Sequence, residues 1–486
     1  PDAVALLPEG LARDLCAIPI RRSDNSVVVA VSNPSAEVRD RLQAALKTTP
    51  EMMISPATDI DRAINNAYRA IDNVSRLVDA FTVAEASRKT TSAAAEVLPD
   101  DAPVVRVVNL LISQAVRDRT SDIHVEPYDN EVRIRYRIDG ALHEAVVLPG
   151  SMGPAVISRI KIMAGLNIVE RRKPQDGQIS ADIDGRLLDI RVNTTPTVFG
   201  EKAVLRLLDR KRTLLKLDHL GMPPDIHKTY SNVVRSPWGM VVCAGPTGCG
   251  KTTTLYATLN EINTPEANIT TIEDPVEFVF PSINQIQIND TAGMTFAGGL
   301  RSILRQDPDI ILVGEIRDVE TARLATQAAL TGHFVLSSIH ATDSASALHR
   351  FVDMGIERFL IASALSMVVS QRLLRRICKH CRVPAELSVE ERAFFETFAG
   401  GGKTSFWKGE GCNFCSNTGF IDRIGVYELL HVTDEIRQLV LDNAVHEEIK
   451  KMAISQGMST LLDEGLKLVR NDMTTVAEVM RHVYAG

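Results

Sequence analysis

Apolar and polar positions fall into several rhythms along this chain of 486 residues, and each predicts a different element. The clearest is the alternation of Val132, Ile134, Tyr136 and Ile138 with Arg133, Arg135 and Arg137. A period of two puts the apolar set on one face of a strand and the guanidinium groups on the other. The stretches Leu188 to Val192 and Ala203 to Leu208 predict two further strands, carrying Arg191 and Arg206. Ahead of them, the spacing from Val104 to Arg119 predicts an amphipathic helix. Met240 to Ala244, Ile310 to Val313 and Phe334 to Ile339 are instead continuous apolar runs. Strands buried on both faces read this way, and helical signals lie between them, so the chain from Met240 onward predicts a mainly parallel sheet covered by helices. Near the end, Ile436, Leu439, Val440, Ile449, Met452, Leu461, Leu462, Leu466 and Val469 recur at helical spacing and predict core-facing helices.

These rhythms suggest a division of the chain. Residues 1–70 read as a small α/β docking module: a helix around Leu6 to Ala12, a buried strand over Ser26 to Val31, helical spacing from Val38 to Leu46, a short strand at Met52 to Ile54 and a helix from Asp59 to Ala70. Residues 71–102 include the small, polar, aperiodic run Ala84 to Ala95 and read as a linker. A second α/β domain spans 103–215, with Lys173 to Gly177 marked as a turn by composition. Residues 216–375 form the parallel-sheet core, 376–430 hold paired cysteines, and 431–486 form the helical C-terminal region.

Composition narrows the function. Lys and Arg total 54 against 61 Asp and Glu, a net charge of −7. A general nucleic-acid binder normally shows a basic surplus, so that class is disfavoured, although a local basic channel stays compatible with the balance. No run of 18 apolar residues occurs, so a spanning helix is not expected. The N-terminus lacks the charged, apolar and cleavage-site sequence of a secretory leader, and a first residue of Pro suits a fragment of a longer protein. Seven cysteines, four of them in two C-x-x-C pairs, suit a reducing compartment and a metal better than disulfides. Cys16 and Cys243 read as core.

The chemistry centres on Gly245-Pro246-Thr247-Gly248-Cys249-Gly250-Lys251-Thr252, followed by Thr253. This G-x-x-x-x-G-K-T lies between a predicted strand and a predicted helix, the context that a P-loop requires. Its glycines let backbone amides turn toward phosphate oxygens, and the helix N-terminus adds partial positive charge. Lys251 can reach the β- and γ-phosphates of ATP, and the Thr252 hydroxyl can meet Mg²⁺. Cys249 reads as a spacer rather than a nucleophile. Hydrolysis also needs acids, and two segments offer them. Ile310 to Glu315 is an apolar strand ending in a carboxylate, and Ile269 to Glu277 is a strand running into Glu273, Asp274 and Glu277. Crowded carboxylates repel, and Mg²⁺ with ordered waters would relieve that; an acidic, solvent-facing loop is the competing reading. His333 and His340 flank the Phe334 to Ile339 strand and could sense the γ-phosphate, or be structural. The arginines of the second domain could meet nucleotide phosphates, or line a solvated sheet face. Cys378-x-x-Cys381 and Cys412-x-x-Cys415 suit a closed four-thiolate Zn²⁺ site, with redox chemistry as the rival; the thirty-residue spacer is longer than common zinc ribbons use.

Taken jointly, the P-loop, Thr271 to Glu277, Leu312 to Asp318 and Thr331-Gly332-His333 with His340 resemble the Walker A, Asp box, Walker B and His box of the GspE/PilB-type secretion ATPases. Ser121 to Pro127, Arg135 to Gly140 and Gly200-Glu201-Lys202 extend the resemblance, which covers about residue 100 to the end. It implies a RecA-like P-loop ATPase domain, preceded by a PAS-like α/β domain and the small N-terminal module, with a zinc-knuckle insertion and a helical tail. It implies a homo-hexamer using ATP, Mg²⁺ and Zn²⁺, cytoplasmic and peripheral to the inner membrane through platform proteins of a pilus or secretion system, with no nucleic acid partner. By the same resemblance Glu277 is the water-activating acid, Glu315 sits near the metal, and Arg191 and Arg206 reach the nucleotide from the preceding domain; Glu273, Lys251, His340 and His333 complete the expected catalytic set. Members that extend or secrete carry the tetracysteine site, and retraction ATPases look to lack it. In some relatives the N-terminal module binds cyclic di-GMP through a repeated Arg-Leu-Gly-containing pattern, which is absent from the first seventy residues; docking to an inner-membrane platform protein is therefore expected. The alternatives are an ATP-driven nucleic-acid motor and a nucleotide-gated structural subunit with little turnover.

Overall fold

The computed structural model describes residues 3–23, 26–68, 77–81, 83, 102–183, 185–209 and 216–484. The chain forms two units. The first comprises Pro1–Arg212 with Cys378–Cys381 and Glu410–Ile421, and the second comprises Thr213–Ile377, Arg382–Gly409 and Asp422–Gly486.

The first unit opens with a three-stranded sheet of β1 (Ala17–Arg22), β2 (Val27–Val31) and β3 (Pro50–Ile54), in that order. The all-apolar β2 is buried along its length, and Val29, Leu42, Ile60 and Ile64 form the core beneath the flanking helices. β1 was not legible in the sequence, because Pro19 interrupts it. As an edge strand it tolerates the missing donor, and its pairing with β2 shifts register between Pro19 and Arg21. Cys16, expected in the core, is only partly buried. The linker expected over 71–102 lies largely outside the described residues. Leu77, Val78 and Phe81, within that range, pack against the core of the next domain, so this part is not linker-like.

That domain is an antiparallel sheet of β4 (Asp122–Pro127), β5 (Glu131–Ile138), β6 (Ala141–Pro149), β7 (Gln175–Ile183), β8 (Arg186–Thr197) and β9 (Gly200–Asp209), ordered β6-β5-β4-β9-β8-β7. The period-two reading of β5 holds: Val132, Ile134, Tyr136 and Ile138 are buried, in one core with the Pro103–Arg117 and Gly153–Met163 helices. Tyr136 satisfies its hydroxyl by donating to the Leu111 carbonyl at 2.7 Å. The turn expected at Lys173 to Gly177 is shorter, because β7 already begins at Gln175. Gly177 stands where a Cβ would come within 2.6 Å of the Ala164 carbonyl oxygen; close packing, not a turn, requires glycine there.

The second unit is built on β10 (Gly239–Ala244), β11 (Ile269–Glu273), β12 (Asn284–Gln287), β13 (Ile310–Val313), β14 (Phe334–Ile339) and β15 (Leu365–Ile377), with a separate ribbon of β16 (Arg382–Ala385) and β17 (Phe406–Gly409), and finally β18 (Phe420–His431). Seven strands form one sheet in the order β12-β11-β13-β14-β10-β15-β18. Every pairing from β12 to β15 is parallel. The continuous apolar runs follow from burial on both faces: Met240, Val242 and Ala244 enter one core, Val241 and Cys243 the other. Of the C-terminal helices, Asp434–Leu441 and His446–Ser455 add Ile436, Val440 and Ile449 to the first core. Leu461–Arg470 packs with Phe394 and Phe395 instead. Among the described residues no helix is long and apolar enough to cross a membrane.

Candidate functional site

The loop Gly245 to Gly250 connects β10 to the Lys251–Ile262 helix. Gly245 and Gly250 have φ of 149° and 96°, values that side-chain-bearing residues rarely adopt, so the loop can reverse without strain only with glycine there. Gly245 is buried, whereas Pro246, Thr247, Gly248 and Thr252 are exposed and Gly250, Lys251 and Thr253 partly so. Lys251 Nζ donates to the carbonyls of Gly245 at 2.8 Å and Pro246 at 3.0 Å. Burial holds its ammonium below the ordinary lysine value, while the Cys249 and Cys243 thiols and the Glu315 carboxylate pull the other way. Cys249 is buried and its thiol is raised by that burial, which fits a spacer and not a nucleophile.

Parallel strands bring the remaining acids to the same edge. β11, β13 and β14 run in register with β10 or its neighbours, so the segments that follow them all emerge at their carboxyl ends. Glu315, just beyond β13, pairs with Arg317 and lies 3.7 Å from His340 Nε2, just beyond β14. Burial and Lys251 lower the His340 imidazole, against the pull of Glu315, and so favour its neutral form. Arg317 is held charged by its Glu315 hydrogen bond and also feels Asp274.

Glu273, at the end of β11, is 4% exposed and sits among three donors. The hydroxyls of Tyr256 and Thr271 donate to it, the latter at 2.6 Å, and so does Gln285 Nε2 at 3.2 Å. Tyr256 also accepts the Glu277 amide at 3.2 Å, tying the exposed segment that carries Glu277 to the buried carboxylate. The crowding of Glu273, Asp274 and Glu277 is thus relieved in part by protein donors.

His333 does not join this group. It lies at the amino end of β14, its Nδ1 3.0 Å from the Ala328 carbonyl oxygen, and a six-residue strand separates it from His340 by roughly 20 Å. Arg191 and Arg206 belong to the other unit, where they face each other across β8 and β9. Arg206 Nε meets Asp122 at 2.8 Å. The same polar face holds Glu126, contacted by Arg135 at 2.7 Å and Lys202 at 2.8 Å. Burial alone would raise the Glu126 carboxyl; Arg135 and Lys202 bring it down to about 2. The arginine face is therefore neither plainly solvated nor wholly committed to a ligand: carboxylates from β4 meet it.

The sequence reading missed Gln371 and Arg372 on β15. Gln371 Nε2 donates to the Cys249 carbonyl at 2.7 Å, and its Oε1 accepts the Thr254 hydroxyl at 2.8 Å. Arg372 Nη2 donates to the Thr342 carbonyl at 2.6 Å, and burial lowers its guanidinium. No local motif marks this pair; only the sheet order brings it to the loop.

The four cysteines converge in the first unit. Sγ separations are 3.8 Å for Cys378–Cys412, 3.9 Å for Cys381–Cys415 and 3.8 Å for Cys412–Cys415. A Zn–S bond of about 2.3 Å gives tetrahedral edges of about 3.8 Å, so this donor set fits zinc. The long spacer is explained by what it contains, the Val389–Ala399 helix and the β16–β17 ribbon. Stacking of His380 on Phe414, with centroids 4.0 Å apart, pins the two knuckles together.

Comparison with known proteins agrees with this geometry. The model of the family described as "Type II/IV secretion system protein" matches residues 97–481, and that of the MshEN domain matches residues 1–73. The type II secretion system protein HxcR of Pseudomonas aeruginosa is 47% identical over 382 residues, which cover 79% of this chain and 78% of the relative. The type IV pilus assembly ATPase PilB of Myxococcus xanthus is 40% identical over 490 residues, covering 99% of this chain and 86% of the relative. Among solved structures, the pilus retraction motor PilT with bound ADP superimposes with a TM-score of 0.53 at 25% identity, covering 77% of this chain and 96% of that one.

Proposed function

This chain belongs to the Type II/IV secretion system protein family, and on that premise we propose how its residues run an ATP-driven cycle. It is an ATP-hydrolysing motor for assembly of a type IV pilus or a type II secretion pseudopilus. The observation that carries the proposal is the meeting of Lys251, Glu315 and His340 at the carboxyl edge of one parallel sheet, beside the Tyr256–Glu273 contact.

In the proposed cycle, the amides of Gly245 to Thr252 hold the phosphates of ATP, and the Lys251–Ile262 helix adds the partial charge of its N-terminus. Lys251 exchanges the Gly245 and Pro246 carbonyls for β- and γ-phosphate oxygens. Thr252 and Glu315 are the residues that would hold Mg²⁺, which when bound would neutralise charge developing on those phosphates. Glu277 accepts a proton from the attacking water, and Glu273 acts through Tyr256 to place it. Neutral His340 donates a hydrogen bond toward the γ-phosphate. Arg191 and Arg206 bring positive charge from the domain at 103–215. His333 has no role in this scheme. The working form is a homo-hexamer at the cytoplasmic face of the inner membrane, docked on platform proteins through the module at 1–70, with zinc held by Cys378, Cys381, Cys412 and Cys415.

Glu277→Gln tests the central assignment. Nucleotide affinity should stay within about threefold of wild type while single-turnover hydrolysis slows by ~100-fold or more, the range of general base catalysis. Loss of nucleotide binding in this variant would make Glu277 a ligand and not the base.

A further inference from the structure

Gln371 and Arg372 are adjacent on β15, so their side chains leave opposite faces of the sheet. Both are nearly buried, at 1% and 6% exposure. Gln371 reaches the P-loop side and spans two of its parts, the Cys249 carbonyl and the Thr254 hydroxyl one turn into the helix. A Cβ on Gly250 would lie 2.9 Å from Gln371 Nε2, and one on Gly245 would lie 2.9 Å from the Gln371 carbonyl oxygen. β15 is therefore moulded against both ends of the loop. The Arg372 fork holds two carbonyls, its own strand's Gln371 at 3.0 Å and Thr342 at 2.6 Å, and its Nη1 would lie 3.3 Å from a Cβ on Gly245, so it borders the start of the loop as well as the Thr342 segment. Thr342 belongs to the segment that follows β14 and carries His340.

We propose that Gln371 and Arg372 are positioning residues for hydrolysis: Gln371 sets the shape of the phosphate cradle, and Arg372 fixes the His340 segment relative to it. This rests on the reading of the site as an ATPase centre. The two act on different quantities. The cradle holds ground state and transition state alike, so loosening it weakens nucleotide binding with a smaller effect on turnover at saturation. The His340 segment faces the γ-phosphate, so loosening it slows the chemical step and leaves ADP affinity alone.

The full-length protein with Gln371→Glu, Arg372→Lys and Thr254→Val tests this by nucleotide titration, kcat at saturating ATP and thermal melting. Gln371→Glu keeps the shape and the Thr254 contact but sets a carboxylate oxygen against the Cys249 carbonyl. Its Kd for both ATP and ADP should rise tenfold or more, with kcat within about threefold. Thr254→Val removes the other half of the clamp and should raise Kd severalfold, carrying the test if Gln371→Glu does not fold. Arg372→Lys cannot hold two carbonyls as the fork does; kcat should fall tenfold or more with ADP affinity within about threefold. Unchanged Kd in both folded clamp variants, or an unchanged kcat in Arg372→Lys, overturns the proposal. So does lower melting with unaltered constants, the mark of a merely structural role. A wild-type chain that neither binds nor hydrolyses ATP refutes the underlying ATPase reading, and this inference with it.

Discussion

Replacing Tyr256 by phenylalanine deletes one oxygen atom from a buried contact that joins two carboxylate-bearing positions. The ring itself stays anchored edge-on against Phe280, with centroids 5.2 Å apart. Two partners lose the hydroxyl, the Glu273 carboxylate and the Glu277 amide. A hydrogen bond to a charged group contributes roughly 1.5–3 kcal/mol. Glu273 keeps Thr271 and Gln285, while the Glu277 amide can turn to water, so a stability loss of about 2 kcal/mol is expected. If the same energy holds Glu277 in place for the transition state, the rate should fall by roughly 30-fold. KM for ATP should stay within about threefold, because both lost partners lie at or just beyond the end of β11 and not in the phosphate loop. Steady-state phosphate release, with thermal melting on the same preparation, reads both quantities. A folded Tyr256→Phe protein with kcat within about twofold of wild type would refute the claim that Glu273 acts through this hydroxyl to place Glu277.

Lys251→Ala should reduce turnover by at least ~100-fold, since Lys251 is the P-loop ammonium meant for the transferring phosphate; normal phosphate release in this variant would remove the loop from the mechanism. Elemental analysis of purified protein should give about one zinc per chain, and chelation should lower the melting temperature; a metal-free, fully stable protein would overturn the four-thiolate site. The Glu126 carboxyl falls from 4.5 to about 2 on folding, so its stabilising contribution is full above pH 4.5 and is lost as pH falls toward 2. The melting temperature of wild type should therefore drop more steeply than that of Glu126→Gln over this window. Parallel curves would show that Arg135 and Lys202 do not hold the carboxylate.

Elements with a regular rhythm and ordinary surroundings were legible from sequence. β5 and β10 were, because alternation and continuous apolar character report directly on how many faces a strand buries. β1 was not, because Pro19 looks like a breaker until sheet order makes the strand an edge. The turn at Lys173 to Gly177 was overextended for a related reason: glycine signals either a bend or a close approach, and only the position of Ala164 tells which. On β4, Asp122 and Glu126 share the period of the β5 arginines, so the ionic face was available in the sequence to a reader who paired the two strands.

The candidate site divides along the same line. Gly245 to Thr252 is legible because one unbroken segment carries the whole arrangement, and Glu315 and His340 follow from apolar strands that end beside it. His333 shows the limit of that logic: flanking a strand places two residues at its opposite ends, and only the end with His340 lies beside Glu315 and the carboxyl end of β10. Tyr256, Gln371 and Arg372 lie beyond it altogether. Gln371 is more than a hundred positions from the carbonyl it holds, and what joins them is the parallel register of β10 with β15, in which Ala244 stands beside Ser370. Shifting β15 by one residue would exchange the directions of Gln371 and Arg372 and leave both contacts unmade. The phosphate cradle is therefore shaped by strand pairing as much as by its own glycines, and altering β15 should disturb nucleotide binding without touching a residue of the motif.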